Sequence, residues 1–231
     1  MKRFWREVAI VAGDGGFTVT LDGKPVRTGR GEPLVVAHAV LAEAIAAEWR
    51  GQGEKLDPAA MPLTRIAGAA IDRNAAGRAA VVDRVAAFAG TDLICYRAES
   101  PLALAQRQAT QWQPLIDWAA GRFGARLGVV DAIAPCPQPA AALANLHKTV
   151  NAFDDLRLAA LEAAVAAAGS LIIGLALAEG RLDADEAAAT SQLDELFQAE
   201  RWGDDPDAVR SRAERRQTLA AAAAVFATAG T

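Results

Sequence analysis

The chain has 231 residues, 52% of them hydrophobic and 23% charged, with a formal net charge of -4 and a pI near 5.3. That length allows one large or two small domains with real cores, and that apolar content excludes a disordered chain. The acidic balance argues against a general nucleic-acid or anionic-membrane binder, which needs a basic surface.

The first forty residues read as strands. Phe17, Val19 and Leu21 alternate with Thr18, Thr20 and Asp22, the period of a half-buried strand. Asp22-Gly23 supplies a turn, and Gly13-Asp14-Gly15-Gly16 reads as a second turn between strands rather than a dinucleotide fingerprint. Residues 8–11 and 34–36 are further short apolar runs, so a small antiparallel sheet is expected. The N-terminal apolar run is broken by Arg6 and Glu7, which makes it a poor signal peptide.

Helical spacing begins near His38, with Leu41, Ile45 and Trp49 on one face and Gly51 and Gly53 as the stop. Residues 57–62 read as a linker. Val81, Val82, Val85 and Phe88 share a face. Ser100-Pro101 pairs a capping hydroxyl with a proline at the first helical position, a start signal. Trp112, Leu115, Ile116, Ala119 and Phe123 follow at helical spacing, and Pro114 among them predicts a kink or a restart. Residues 126–133 are a candidate strand. Residues 158–178 are apolar except Glu162 and Ser170 and approach the length of a membrane span, but the alanine content and Gly169-Ser170 favour a buried core helix. Asp183 with Glu186 forms a capping-box-like start, and Asp205-Pro206 opens a last helix. In that helix Asp207 and then Arg210, Arg212, Arg215 and Arg216 suit the helix dipole.

Few residues invite chemistry. P-loop, G-x-S-x-G and H-E-x-x-H motifs are lacking. The two histidines, His38 and His147, lie in unrelated segments and read as a helix-start residue and an exposed helix residue. The two cysteines, Cys95 and Cys136, make neither a disulfide framework nor a zinc site and point to a reducing compartment; Cys95 reads as a small core residue. Asp72 and Asp92 are candidate buried acids whose default roles are helix caps or ion pairs. Asp154-Asp155 and Asp194-Glu195 are adjacent, and neighbouring helix positions point about 100° apart, so such pairs share a site poorly. No catalytic, cofactor-binding or metal-binding residues are assigned.

Charge is distributed unevenly. Residues 1–30 carry six Lys/Arg against three acids, whereas residues 183–207 carry nine acids against one base, Arg201. Within the acidic stretch, residues 193–203 read Leu-Asp-Glu-Leu-Phe-Gln-Ala-Glu-Arg-Trp-Gly. On a helix, Leu193, Leu196, Phe197 and Glu200 share one side, with Asp194, Gln198 and Arg201 on another and Glu195 and Trp202 further round. Two descriptions fit: an ordinary amphipathic helix ending in a packed tryptophan, or a recognition surface in which aromatics supply binding energy and charges supply orientation.

That run resembles the C-terminal signature of the assembly chaperone family, of mitochondrial and alphaproteobacterial type, that binds the alpha subunit of the F1 sector of ATP synthase. Other stretches match in the same order: Lys2-Arg3-Phe4-Trp5, the segment from Phe17 to Val26, Ala47-Glu48-Trp49, Met61-Pro62-Leu63-Thr64-Arg65, the segment from Gly90 to Arg97, and the segment from Gly169 to Ala176. The ordered series, rather than any single motif, is specific. The resemblance implies an α+β protein, with a small β-rich N-terminal domain containing one helix over 1–60 and a larger all-α domain over 61–231. It implies a chaperone, not an enzyme, that uses no nucleotide and holds the alpha subunit until the beta subunit pairs with it. Glu195 and its neighbours Asp194, Phe197, Gln198, Glu200 and Trp202 are the implied partner-binding positions, with Trp49 as a structural or partner-binding one. No nucleic acid, membrane insertion, small-molecule substrate or cofactor is expected, and the expected location is the bacterial cytoplasm or the equivalent mitochondrial matrix. Two alternatives stay open: an enzyme whose site gathers acids such as Asp72, Asp92 or Asp155, and a stable structural subunit of a complex.

Overall fold

In a computed structural model, residues 2–73, 75–131 and 137–228 are described. Strands β1 (Val8–Gly13) and β2 (Gly16–Leu21) form an antiparallel hairpin, Val8 opposite Leu21 through Gly13 opposite Gly16. Its turn is the Gly-Asp-Gly-Gly segment, as the sequence predicts. Gly16 has φ 124°, and a Cβ there would stand 2.5 Å from the Val36 carbonyl oxygen. Glycine therefore lets β4 (Val35–Val36) close on β2. Asp22-Gly23 turns the chain into β3 (Lys24–Pro25), which pairs with the other end of the same β2 edge. Thr20 breaks the simple alternation. It is buried beside Val19 and Leu21, and its hydroxyl donates to the Ala9 carbonyl at 3.4 Å.

Helix α1 (Ala39–Arg50) starts at His38 and buries Leu41, Ile45 and Trp49 as its spacing predicts. It stops at Gly51 with φ -72°, so the stop is right-handed and does not use the left-handed glycine cap. The expected linker is a 3-10 turn, Pro58–Ala60, followed by the buried Met61 and α2 (Pro62–Ile71). The start of α2 is capped from a distance. Glu48 on α1 accepts from the Leu63 and Thr64 amides at 2.7 and 2.8 Å and from the Thr64 hydroxyl at 2.7 Å. Burial pushes the Glu48 carboxyl up.

Then come α3 (Ala75–Ala87), two 3-10 turns and α4 (Leu102–Phe123). The Ser100-Pro101 peptide is cis, and the helix starts later than the sequence signal suggests. Ser100 is not its cap; extended Pro101 is, its carbonyl accepting from the Leu104 and Ala105 amides. Pro114 does not restart the helix, which runs unbroken for 22 residues because that proline faces solvent. Residues 126–131 form no strand. Only Val130 pairs, bridging Tyr96 in parallel, and residues 132 and 133, like Cys136, lie outside the described residues.

The remaining helices are α5 (Ala140–Asn151), α6 (Asp155–Ala168), α7 (Leu171–Ala178), α8 (Ala184–Ser191), α9 (Leu193–Trp202) and α10 (Pro206–Thr228). The apolar 158–178 stretch is thus two buried helices rather than one. Gly169 at φ 66° ends the first, and the Ser170 hydroxyl accepts from the Ile173 amide at 3.0 Å to start the second. Among the described residues no helix is long and apolar enough to cross a membrane. Buried side chains from Trp5 to Phe226 join in one cluster. Sheet first and helices after is the α+β order expected from the sequence.

Candidate partner surface around the acidic helix

The acidic stretch folds into α8, α9 and the start of α10. The capping box at Asp183 and Glu186 forms as predicted, with both hydrogen bonds made at 2.8 and 2.9 Å. Gln192 separates α8 from α9 and is buried. Leu193 and Phe197 are the buried side of α9, which fixes the helix to the body of the protein. Gly203 stops α9 at φ 85°, its amide donating to the Ala199 carbonyl.

The polar side of α9 is tied down residue by residue. Asp194 accepts from the Gln108 side-chain amide on α4 at 2.7 Å. Glu195 pairs with Arg215 of α10. Glu200 meets the Arg107 guanidinium with both oxygens, at 2.8 and 2.9 Å, and that arginine holds its carboxyl below the usual range. Arg107 and Arg201 both stand over the Phe197 ring, 5.2 and 4.1 Å from its centroid. Gln198 is exposed, and Trp202 is 76% exposed at the helix end.

The predicted positions therefore divide into three groups. Gln198 and Trp202 face solvent freely. Asp194, Glu195 and Glu200 are partly or well exposed but already hold partners of this chain. Phe197 is an anchor under the surface. Trp49 is on α1, buried, its ring 5.1 Å from that of Trp5 in an edge-on contact; it belongs to the core beneath the sheet.

The four arginines of the last helix need a different account from the helix dipole. They lie in its first half, near the positive end. Arg210 pairs with Asp207, Arg212 with Asp204, Arg215 with Glu195, and Arg216 with both oxygens of Asp185 at 2.7 and 2.9 Å. They neutralise the acidic stretch and clasp α8 and α9 to α10. The missed signal was available: nine acids facing one base require cations from elsewhere, and the nearest cluster in sequence is 210–216.

Other candidate acids have separate structural partners. Asp72 accepts from the Thr28 hydroxyl and the Arg30 amide. Asp155 pairs with Arg78, and Asp154 caps α6 through the Arg157 amide. Asp92 is fully buried and accepts from the Ile94 and Ile172 amides at 3.3 and 3.1 Å, with further hydrogen bonds from Ser170 and Leu171. Burial raises its pKa to about 6. Cys95 is buried beside it, and His147 is exposed and pairs with Asp83. Among the described residues no three His, Cys, Asp or Glu side chains converge as a metal site.

Residues 2–120 match the model of a family described as ATP12 chaperone protein. Over 219 residues the chain is 26% identical to protein atp12, mitochondrial, of Schizosaccharomyces pombe, a match covering 90% of this chain and 75% of the relative. The crystal structure of Atp12 from Paracoccus denitrificans is 43% identical, covers 98% of this chain and 97% of that one, and superposes with a TM-score of 0.84. The crystal structure of Atu1473 from Agrobacterium tumefaciens is 40% identical over 99% and 86% of the two chains, with a TM-score of 0.89.

Proposed function

Since the chain belongs to the ATP12 chaperone family, a family of ATP synthase assembly chaperones, we propose that it holds the F1 alpha subunit and covers that subunit's interface until the beta subunit takes its place. The proposed action is binding alone, with no nucleotide and no covalent step, in the bacterial cytoplasm or the matrix. A subunit awaiting its partner exposes more apolar surface than a monomer tolerates. A holdase must cover that surface yet let go, and mixed aromatic and acidic contacts suit both needs better than a wholly apolar patch.

One observation carries the proposal: Trp202 stands 76% exposed at the end of a helix held on three sides by buried anchors and ion pairs. An exposed tryptophan on a braced helix offers a large apolar ring on backbone that is already ordered, so binding need not order the helix. Asp194, Glu195, Gln198 and Glu200 form the polar surround, with Phe197 and Trp49 as supports beneath.

Light scattering of isolated F1 alpha subunit, with and without this protein and without ATP, tests the function. Suppressed aggregation is expected, and equal aggregation overturns the proposal. Trp202→Ala tests the site. It should leave the unfolding midpoint unchanged and weaken alpha-subunit binding about 30-fold, the scale of a tryptophan hot spot. Binding equal to wild type removes α9 as the contact. Glu195→Lys should weaken protection as well, but it also breaks the pair with Arg215, so Trp202 is the cleaner probe.

A further inference from the structure

Beside α9 lies an open cleft of about 650 Å³ lined by Tyr96, Arg97, Ala98, Glu99, Ser100, Gln108 and Asp194. Arg97 in its wall is only 8% exposed. Its Nη1 donates to the Gln108 carbonyl at 2.7 Å, and its guanidinium carbon stands 5.3 Å over the Trp112 ring. Trp112 is itself fully buried and held by a 3.0 Å hydrogen bond from its indole to the Thr190 carbonyl. The plane of the guanidinium is therefore fixed from two directions. Its remaining edge, Nε and Nη2, is buried and has no hydrogen-bond partner among the described residues.

A buried arginine with a free edge is unusual, because buried polar groups are nearly always satisfied. The neighbouring carboxylate does not serve it: Asp194 takes the Gln108 amide instead. Burial depresses the Arg97 pKa, and electrostatic attraction from Cys95 and Asp131 offsets that only in part.

Resting on the chaperone reading above, we infer that this cleft receives a carboxylate side chain of the bound client on the Nε and Nη2 edge of Arg97. Those two N–H groups are parallel and match the two oxygens of a carboxylate, which is the geometry in which arginine binds most strongly. The cleft meets α9 at Asp194, and Trp202 stands eight residues further along the same helix, about 12 Å along its axis, a span that one client surface can cover. Glu99 and Asp194 line the same cleft and repel a bare anion. The group that fits is an aspartate or glutamate flanked by basic side chains, the bases meeting Glu99 and Asp194 while the acid reaches Arg97. Because the edge is sealed from solvent, the side chains that cover it must give way as the client enters. Arg97 is a specificity residue in this account, and α9 supplies the apolar contact.

The test uses the full chain and isolated F1 alpha subunit. Arg97→Lys keeps the positive charge and removes the fork. It should bind the alpha subunit at least tenfold more weakly, while Trp202→Ala binding in the same assay reports on α9 independently. The second measurement uses the wild-type chain alone: the ¹⁵N resonance of the Arg97 Nε–H, assigned by through-bond correlation to the Arg97 side chain and backbone, should shift on adding alpha subunit and saturate with binding. If wild type binds and neither the affinity nor the resonance changes, the Arg97 inference falls and the chaperone function stands. If wild type does not bind, the function and the inference fall together, and the aggregation assay shows that first. Should Arg97→Lys fail to fold, the resonance on wild type decides.

Discussion

Acidification should stabilise this protein through Asp92, against the usual direction for a carboxylate. Asp92 is fully buried, and its pKa rises from the ordinary 3.8 to about 6 because burial outweighs the four hydrogen bonds it accepts. A folded-state pKa above the unfolded one means that the folded state binds the proton more tightly. The contribution is complete below pH 3.8 and is lost as pH rises through about 6. The full gap corresponds to about 3 kcal/mol, and about 2 kcal/mol of it is recovered on going from about pH 7 to about pH 4.5. Asp92→Asn isolates the effect, since the other carboxylates titrate equally in both proteins. Asparagine keeps one acceptor oxygen and leaves an amide at the start of α7 short of a partner, costing about 1–3 kcal/mol, partly offset by removal of a buried charge. Urea unfolding of both proteins at the two pH values reads the difference. Wild type should gain about 2 kcal/mol on the variant between about pH 7 and about pH 4.5. A constant difference, or one moving the other way, would refute the claim that the carboxylate is charged and unfavourably buried at neutral pH.

Two further outcomes follow from local geometry. Gly16→Ala puts a Cβ against the Val36 carbonyl at a φ of 124°; a loss of about 2 kcal/mol or more is expected, read by urea midpoint, and a neutral substitution would show that β4 is free to move off β2. Trp112→Phe removes the hydrogen bond to the Thr190 carbonyl and weakens the contact under Arg97. It should cost about 1–3 kcal/mol in thermal or urea unfolding, and no change would mean that the indole nitrogen plays no part in joining α4 to α8.

What the sequence disclosed about this molecule was what acts within about four residues. The capping box at Asp183, the hairpin turn at 13–16, the start at Asp205 and the buried face of α1 are all written in adjacent side chains. The errors share a cause: a distant part of the fold settled the matter. Pro114 stays inside α4 because its side of the helix is exposed, which no spacing rule reveals. Glu48 caps a helix 15 residues away, and Asp92 one 80 residues away. On the candidate surface, the helical phase of 193–203 separated Leu193 and Phe197 from Gln198 correctly. It could not show that Asp194, Glu195 and Glu200 already have partners, because Gln108, Arg215 and Arg107 arrive from other helices. Arg97 was visible only as part of a motif, since an unsatisfied guanidinium edge is a property of packing alone.

The unequal burial of the tryptophans gives the protein an optical reporter of its own. Of five tryptophans, Trp112, Trp5 and Trp49 are 0, 2 and 9% exposed, and Trp118 is half-buried, so Trp202 alone sits largely in water at 76%. Excitation at the red edge of indole absorbance selects that solvent-relaxed ring, and a soluble quencher such as acrylamide reaches it first. Its emission should move to the blue and become resistant to quenching as a client covers it, while the buried rings supply a constant background. Docking and release can then be followed in real time on the unlabelled chain, with Trp202→Ala as the dark control.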